Sequence, residues 1–307
     1  MASKSAGGNP RGTTSPACYR TYRERMASYA ARPSTEQLAA LVSLFESGPV
    51  AVLTGAGLST ESGIPDYRGP EALKRPRRPM QFQEFLKSAR ARRRYWARSM
   101  LGWPRFAAAR PNAGHAALSR LDAGGRLSGI VTQNVDGLHA AAGSDQAIEL
   151  HGALREAICL DCGELMARAE LQRELERHNG ELFAQTVALA PDGDADLDDE
   201  RLEEFRIIDC PCGGPLKPHV VFFGENVPKP RVERAFALVR QARGLLVVGS
   251  SLAVWSGLRF VRAAAQQGQP VAIVALGPTR GDPEATLRID AAAGVTLSEL
   301  SARLAPG

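Results

Sequence analysis

An apolar strand that runs directly into a glycine turn is the feature that most restricts the fold of this chain. Residues 50–54 read VAVLT, and GAGLST follows at residues 55–60. Glycines at such a junction let the backbone approach a pyrophosphate closely, and the free N–H groups of the turn attract the anion. The junction therefore predicts a dinucleotide site, although a Gly-Ala-Gly turn alone is a weak signal.

Further apolar runs alternate with helical patterns along the chain. A capped helix is predicted to begin near residue 34, and another follows Pro111 and stops at Gly124. Alternating buried strands and helices are typical of an α/β fold, here a Rossmann-like doubly wound parallel sheet. Further strands are predicted over residues 127–132, 147–150, 220–223, 245–248 and 271–275, and helices over residues 82–89, 231–243 and 258–267.

Residues 159–218 break this rhythm and carry four of the five cysteines. Cys159 and Cys162 have the spacing of a zinc knuckle, but Cys210 and Cys212 are separated by a single proline. Residues two apart on an extended chain point to opposite sides, so the proline must lie in a turn if all four thiolates converge. We predict an inserted zinc module at about 153–218, with Asp209 or water as an alternative fourth ligand, or a weak site.

The amino-terminal residues differ in composition from the rest. Residues 1–23 hold Lys4, Arg11, Arg20 and Arg23 without an acidic residue, so residues 1–33 are predicted to be a disordered or targeting tail. The net charge is +5, and no apolar run approaches the roughly 20 residues of a membrane span. Reduced, clustered cysteines favour a cytoplasmic protein, or a mitochondrial one if the tail is a transit segment.

Polar clusters follow four of the predicted strands. They are GAGLSTESGIPDYR (55–68), TQNVDGLHAAAG (132–143), ELHG (149–152) and GSSL (249–252). Ligands of open α/β sheets bind at the carboxyl ends of the strands, so these clusters would share one site. In this order and with these letters they resemble the sirtuins, the NAD-dependent protein lysine deacylases, with Tyr67 where most members have phenylalanine.

The resemblance extends from about residue 35 to the C-terminus. Segments CLDCGE (159–164), LKPHVVFFGE (216–225) and LGPTRGD (276–282) resemble the class II branch, which contains a mitochondrial lipoamidase and ADP-ribosyltransferase. The resemblance implies that residues 34–307 are a catalytic domain that transfers an acyl group from lysine to the ADP-ribose of NAD and releases nicotinamide. Acylated-lysine proteins or peptides would be the partners, and NAD and zinc the cofactors.

The resemblance also assigns individual residues. His151 would be the general base, because an imidazole is mostly neutral yet basic near pH 7, and Asn134 and Asp136 would complete the catalytic set. The implied NAD-binding residues are Gly55, Ala56, Gly57, Ser59, Ile64, Pro65, Asp66, Tyr67, Arg68, Gln133, Asn134, Val135, Asp136, Gly249, Ser250, Ser251, Ala275, Leu276 and Gly277. The zinc ligands would be Cys159, Cys162, Cys210 and Cys212. The substrate segment would comprise Val221, Phe222, Phe223, Gly224, Glu225 and Val254.

One residue departs from the family pattern at the cofactor site. Ala275 stands where an asparagine usually bonds the adenosine ribose. Loss of one neutral hydrogen bond costs on the order of 1 kcal/mol. We therefore expect NAD to bind, but several-fold more weakly than in relatives.

Two other functions remain compatible with the same residues: protein mono-ADP-ribosyl transfer, and a catalytically weak NAD-sensing module. The arginines between residues 90 and 98 invite a nucleic-acid interpretation, but we read them as the solvated face of a helix whose Trp96 and Met100 turn inward. We therefore expect a monomer with neither a nucleic-acid nor a membrane partner.

Overall fold

The computed structural model describes residues 31–66, 79–183 and 199–305. Its strands are β1 (Val50–Thr54), β2 (Leu127–Thr132), β3 (Ile148–Glu149), β4 (Gly152–Cys159), β5 (Leu165–Ala167), β6 (Leu216–Val220), β7 (Gly244–Val248), β8 (Val271–Val274) and β9 (Leu287–Ile289). Its α-helices are α1 (Thr35–Glu46), α2 (Phe82–Lys87), α3 (Ala89–Ala108), α4 (Ala113–Ala123), α5 (Leu138–Ala141), α6 (Arg168–Phe183), α7 (Asp199–Glu204), α8 (Lys229–Gln241), α9 (Trp255–Gln266) and α10 (Ala293–Arg303). Short 3-10 turns occupy Ala56–Leu58, Thr60–Ser62 and Asp282–Glu284.

Six of the described strands form one parallel sheet in the order β3-β2-β1-β7-β8-β9. Thr54 at the end of β1 pairs with Thr132 on one side and Val248 on the other, so the carboxyl ends lie level. The predicted α/β parallel sheet is confirmed. Because the strand ends are aligned, the loops that follow them meet at one edge.

Helices cover both faces of this sheet, as a buried parallel sheet requires. On one face, α1, α4 and α10 pack through Leu41, Leu118 and Leu297. On the other face, α8 and α9 pack through Val239 and Leu258. Each of these five side chains is at most 1% exposed, so the helices exclude solvent from the middle of both faces of the sheet.

A second, antiparallel sheet has the order β5-β4-β6 and packs against α3, α6 and α7. Its core includes Trp96, Leu175 and Phe205. Trp96 and Met100 point inward from α3, as predicted for the arginine-rich helix. Most of the predicted tail lies outside the described residues.

Two predicted elements are wrong in their bounds. The strand predicted over 220–223 is instead the end of β6, and the chain leaves the sheet after Val220. Two hydrogen bonds hold the turn that follows: the Glu225 carboxylate accepts from the Phe222 N–H, and the Glu225 N–H donates to the Phe222 carbonyl. The single helix predicted over 82–89 is interrupted at Ser88, whose hydroxyl caps the start of α3.

No helix in the part of the chain that the structure describes is both long and apolar enough to cross a bilayer.

Candidate active site

The glycine turn after β1 is pinned to the loop after β7. The Gly55 N–H donates to the Val248 carbonyl at 3.0 Å, and the Gly57 N–H donates to the Gly249 carbonyl at 2.8 Å. Gly249 has a φ of +62°, and a Cβ there would lie 2.4 Å from the Leu58 nitrogen. The two loops therefore touch backbone to backbone, and only glycine permits that approach.

Three side chains of the predicted catalytic and cofactor sets form one buried network. The Ser59 hydroxyl donates to the Asp136 carboxylate at 2.6 Å. The Asn134 amide donates to the Ser59 hydroxyl at 3.1 Å and to the Gly55 carbonyl at 3.0 Å. These bonds join the loop after β1 to the loop after β2 at the carboxyl edge of the sheet.

Gln133 and Ser250 extend this network to the third loop. The Gln133 amide donates to the Ser250 hydroxyl at 2.7 Å, and that hydroxyl also accepts from the Leu252 N–H. Gly257, at the start of α9, packs so closely on Gln133 that a Cβ would lie 2.6 Å from the amide oxygen. The edge thus presents hydroxyl, amide and carboxylate groups, which suit a ligand rich in ribose hydroxyls.

His151 lies in the short link between the two sheets. The Leu150 N–H donates to the Thr132 carbonyl in the large sheet, and the His151 carbonyl accepts from the Val221 N–H, each at 2.8 Å. The next residue, Gly152, has a φ of +78° and turns the chain into β4. The predicted general base therefore stands where the carboxyl edge of the large sheet meets the small sheet.

The imidazole of His151 is bonded at both nitrogens. Nδ1 lies 2.9 Å from the Gln133 carbonyl oxygen, and Nε2 lies 2.8 Å from the Ser256 hydroxyl. Burial lowers the pKa of His151; the backbone bond from Gln133 opposes this effect, and the nearby Arg259 and Arg231 add to it. The ring is therefore neutral at pH 7, as a general base must be.

A second pair of histidines lies deeper. His139 Nε2 is 2.9 Å from the Thr54 hydroxyl, and the ring centroids of His115 and His139 are 5.1 Å apart. Burial lowers the pKa of His115 to about 4 and that of His139 to about 3, so both rings are neutral near pH 7. They support the turn after β1 from below and are buried away from solvent.

The predicted substrate segment follows β6 as a loop. The Phe223 carbonyl accepts from the Phe82 N–H at 2.9 Å, which ties the loop to α2. Lys217 is buried beneath the loop, with its ammonium 3.0 Å from the Glu225 carboxylate. Phe223 and Val254 are 40% and 37% exposed, so both present apolar surface to a ligand.

The four cysteines converge despite the shortened second pair. Cys159 and Cys212 Sγ atoms are 3.5 Å apart, Cys162 and Cys210 Sγ atoms are 3.7 Å apart, and all four lie within 4.8 Å of one another. Tetrahedral zinc with bonds of about 2.3 Å needs sulfur separations of about 3.8 Å. The Gly213 N–H bonds back to the Cys210 carbonyl, so the chain turns at the intervening proline as required. The four thiolates fit a zinc ion without Asp209.

The remaining predicted cofactor residues are distributed as follows. Tyr67 and Arg68 lie outside the described residues, whereas Ile64, Pro65 and Asp66 end the first described segment. Ser251 and Leu276 are exposed at the carboxyl edge. Ala56 lies in the first 3-10 turn. The Val135 carbonyl accepts a hydrogen bond from the Leu154 N–H, and Ala275 is buried beside β9. The Gly277 N–H donates to the Asp290 carboxylate at 3.0 Å.

The Sir2 family description matches residues 55–256, the span that holds all of the loops above except the one after β8. The chain belongs to the Sir2 family. NAD-dependent protein deacetylase 1 of Streptomyces coelicolor is 53% identical over 273 residues, covering 89% of this chain and 91% of its own. NAD-dependent protein lipoamidase sirtuin-4 of Bos taurus is 46% identical over 256 residues, covering 82% of this chain and 81% of its own. A solved structure of Sir2 with a p53 peptide and NAD+ has a TM-score of 0.67 and 29% identity, covering 86% of this chain and 95% of that one.

Two residues of this Sir2 protein's site escaped the sequence reasoning. Ser256 contacts His151 from a position 105 residues away in the chain. Lys217 is an ordinary charged residue in the sequence but is buried beneath the substrate loop. Both occur in segments that resemble the family, VVGSSLAVWSG and LKPHVVFFGE, yet neither segment reveals the contact.

Proposed function

We propose that this Sir2 protein is an NAD-dependent protein lysine deacylase. The observation that carries the proposal is the position of His151, a neutral and half-enclosed imidazole at the carboxyl edge, beside the loops after β1, β2 and β7. The S. coelicolor and bovine relatives, named as a deacetylase and a lipoamidase, support the same reaction class. The acyl group would leave the lysine nitrogen for a ribose oxygen, and nicotinamide would be released.

The residues present fit NAD. The close backbone contact between Gly57 and Gly249 holds the turn after β1 against the loop after β7, and Ser59, Asn134 and Asp136 beside it offer polar groups of the kind that ribose requires. When bound, NAD would supply the ribosyl carbon that accepts the acyl oxygen. Gln133 and Ser250 would hold the ribose and phosphate side, since they already form one hydrogen-bonded pair.

His151 would perform the proton transfer. Its pKa is lowered mainly by burial, so Nε2 is unprotonated at pH 7 and ready to take a proton from a ribose hydroxyl. Asn134 is held by two hydrogen bonds and would orient the ribose or a water beside the reacting carbon. Asp136 would act through Ser59, to which it is bonded.

The substrate would bind as an extended strand between the loop after β6 and the residues before α9. Phe223 and Val254 expose apolar surface there, and such main-chain pairing reads little sequence. The acyl group would therefore supply most of the discrimination. Zinc would hold the small sheet together and take no part in the reaction, because four thiolates close its coordination shell.

Nicotinamide release from NAD is the test, measured with lysine peptides that carry acetyl, butyryl, succinyl, hydroxymethylglutaryl, lipoyl or myristoyl groups. Release should depend on the acyl group and vanish in His151→Ala. His178→Ala is the matched control, since His178 is exposed on α6, and it should retain full activity. Label transfer from NAD to protein without acyl-lysine would show ADP-ribosyl transfer instead. NAD binding without nicotinamide release on any peptide would indicate a sensor.

The cofactor affinity has its own test. Ala275 is 6% exposed next to the loop after β8 and has no polar side-chain atom to offer the adenosine ribose. One restored neutral hydrogen bond is worth about 1 kcal/mol, so Ala275→Asn should tighten NAD binding roughly fivefold. Isothermal titration calorimetry measures this directly. Unchanged affinity in the variant would mean that another group already serves the ribose.

A further inference from the structure

Two hydrogen bonds of the His151 ring, to Gln133 and to Ser256, define its tautomer and its orientation. A backbone carbonyl only accepts hydrogen bonds, so the contact between His151 Nδ1 and the Gln133 oxygen places the ring proton on Nδ1. Nε2 of the neutral ring is then an acceptor, and the Ser256 hydroxyl must be the donor in the 2.8 Å contact. Two bonds on opposite sides of the ring fix its plane as well as its proton.

Ser256 is itself held firmly. It lies in the first turn of α9, where the Gly257 and Leu258 N–H groups bond back to the Val254 carbonyl. The Ser256 carbonyl accepts from Arg259 Nε at 3.1 Å. The following residue, Gly257, abuts the side chain of Gln133, so both anchors of the imidazole belong to one packed unit.

We propose that Ser256 is the positioning residue for His151. Its hydroxyl donates to Nε2 of the Nδ1–H tautomer that the Gln133 carbonyl selects, and it holds Nε2, the nitrogen that must accept the ribose proton, in one orientation. On binding, a ribose hydroxyl takes the place of the serine as the donor to Nε2. The proton then passes from that hydroxyl to Nε2, and Nδ1 keeps its own proton and its bond to Gln133. This inference rests on the proposed function for its catalytic consequence, but the tautomer and the orientation do not depend on it.

Ser256→Ala should therefore change the acidity of the base. The hydroxyl stabilises the neutral ring by donating to its lone pair, and this bond is lost when Nε2 is protonated. Loss of one neutral hydrogen bond of this kind should move the pKa of His151 upward by about 0.5–1 unit. The charged groups that face the ring, Arg231 on α8 and Arg259 on α9, are unchanged in the variant, so the shift reports the hydroxyl.

Nitrogen-detected NMR titration of the histidine rings tests the proposal without any substrate. Wild type and Ser256→Thr, which keeps the hydroxyl, should both show His151 as the Nδ1–H tautomer. Ser256→Ala should keep that tautomer, because the Gln133 carbonyl still accepts from Nδ1, but it should show the raised pKa. Ser298→Ala on α10 serves as the control for loss of a serine hydroxyl elsewhere. An unchanged pKa of His151 in Ser256→Ala would overturn the proposal.

The pH dependence of nicotinamide release gives the second readout. In Ser256→Ala the acid limb of the pH profile of kcat/KM should move to higher pH, in step with the pKa of His151 measured by NMR. The value of kcat should fall about fivefold, and KM for the acyl peptide should change by less than about twofold. Ser256→Thr should restore the limb. Equal losses in the Thr and Ala variants would overturn the positioning role. If the NMR result is as expected while wild type releases no nicotinamide, the positioning stands and the proposed function fails.

Discussion

The buried ammonium of Lys217 allows a quantitative test of how the substrate loop is held. Lys217 Nζ is 3.0 Å from the Glu225 carboxylate, the lysine side chain is 5% exposed, and the Phe222 ring centroid lies 4.8 Å away. Glu225→Gln removes the charge but keeps an acceptor, so the ammonium stays buried without a counter-charge. Removing one partner of a buried pair lowers the free energy of unfolding by about 3–5 kcal/mol. The glutamine amide and the remaining backbone bonds still serve the ammonium, so we expect a loss of about 3 kcal/mol in this variant.

The free-energy loss from the unpaired ammonium has an upper limit, because the lysine can become neutral. If pairing is lost, the side chain can release its proton, and at pH 7 this costs about 4.6 kcal/mol from an ordinary pKa of about 10.4. Lys217→Met removes the charge and leaves Glu225, which is 22% exposed and still accepts from the Phe222 N–H. That variant should lose about 1–2 kcal/mol. In a protein that already carries Lys217→Met, the further change Glu225→Gln should then lower the free energy of unfolding by less than about 1 kcal/mol.

The pH dependence identifies the cause. Burial lowers the pKa of Lys217 and Glu225 opposes this effect, so the pKa falls further in Glu225→Gln. Because the unfolded chain then binds more protons than the folded one, the stability of this variant rises with pH. In urea unfolding, Glu225→Gln should have a lower free energy of unfolding than Lys217→Met at pH 7. This difference should shrink as the pH rises to 9.5. Equal stability of the two variants at pH 7, or a deficit independent of pH, would refute the reasoning.

Three further outcomes follow from the structure. Gly152→Ala should destabilise the fold by more than about 3 kcal/mol, because its Cβ would lie 2.1 Å from a backbone oxygen of β6. Gly268 also has a positive φ but faces open space, so Gly268→Ala should cost only about 1 kcal/mol. Urea unfolding measures both. Cys212→Ser should lose bound zinc and lower the Tm, whereas Asp209→Asn, which changes the alternative ligand, should keep the zinc. Metal analysis and calorimetry measure both, and full zinc in Cys212→Ser would argue against the four-thiolate site. His115 takes up a proton below about pH 6.5 in the unfolded chain but only near pH 4 in the folded chain. This group alone should therefore lower the free energy of unfolding of the wild type by about 2 kcal/mol by pH 5. A His115→Phe variant with the same acid sensitivity would contradict this.

The sequence was informative where one physical effect dominates. β1 and β7 are buried at every residue, so they are nearly continuous apolar runs and were predicted almost to the residue. β2 was predicted equally well, although Ser128 and Gly129 interrupt its apolar run. The four strand-end clusters identified the site because parallel strands bring their carboxyl ends together. Helix α1 was found from Ser34, whose hydroxyl and Gln37 form a capping box.

The sequence was uninformative where buried polar groups replace apolar ones. Helix α6 buries Leu171 and Leu175, but Arg168, Gln172 and Asn179 are buried with them, so the apolar stripe is obscured. Arg168 is accommodated by the rings of Trp96 and Trp103 and by two bonds to Ser99, none of which periodicity can reveal.

The site shows the same division. A motif pointed to His151 as the proposed base, but nothing pointed to Ser256, because its proposed role depends on the direction of one imidazole nitrogen. The shortened cysteine pair was correctly expected to need a turn, and the structure supplies it through the Gly213 N–H. Ala275 is visible in the sequence as a departure, yet its effect depends on a ligand contact that residue patterns do not measure.

The position of His151 between the two sheets has a mechanical consequence. Its backbone is bonded through Leu150 to β2 and through its own carbonyl to Val221, so it lies at the junction of the two sheets. Atoms at a junction move least when the joined parts turn relative to each other. Any tilt of the small sheet would therefore displace the imidazole less than it displaces residues farther out on that sheet.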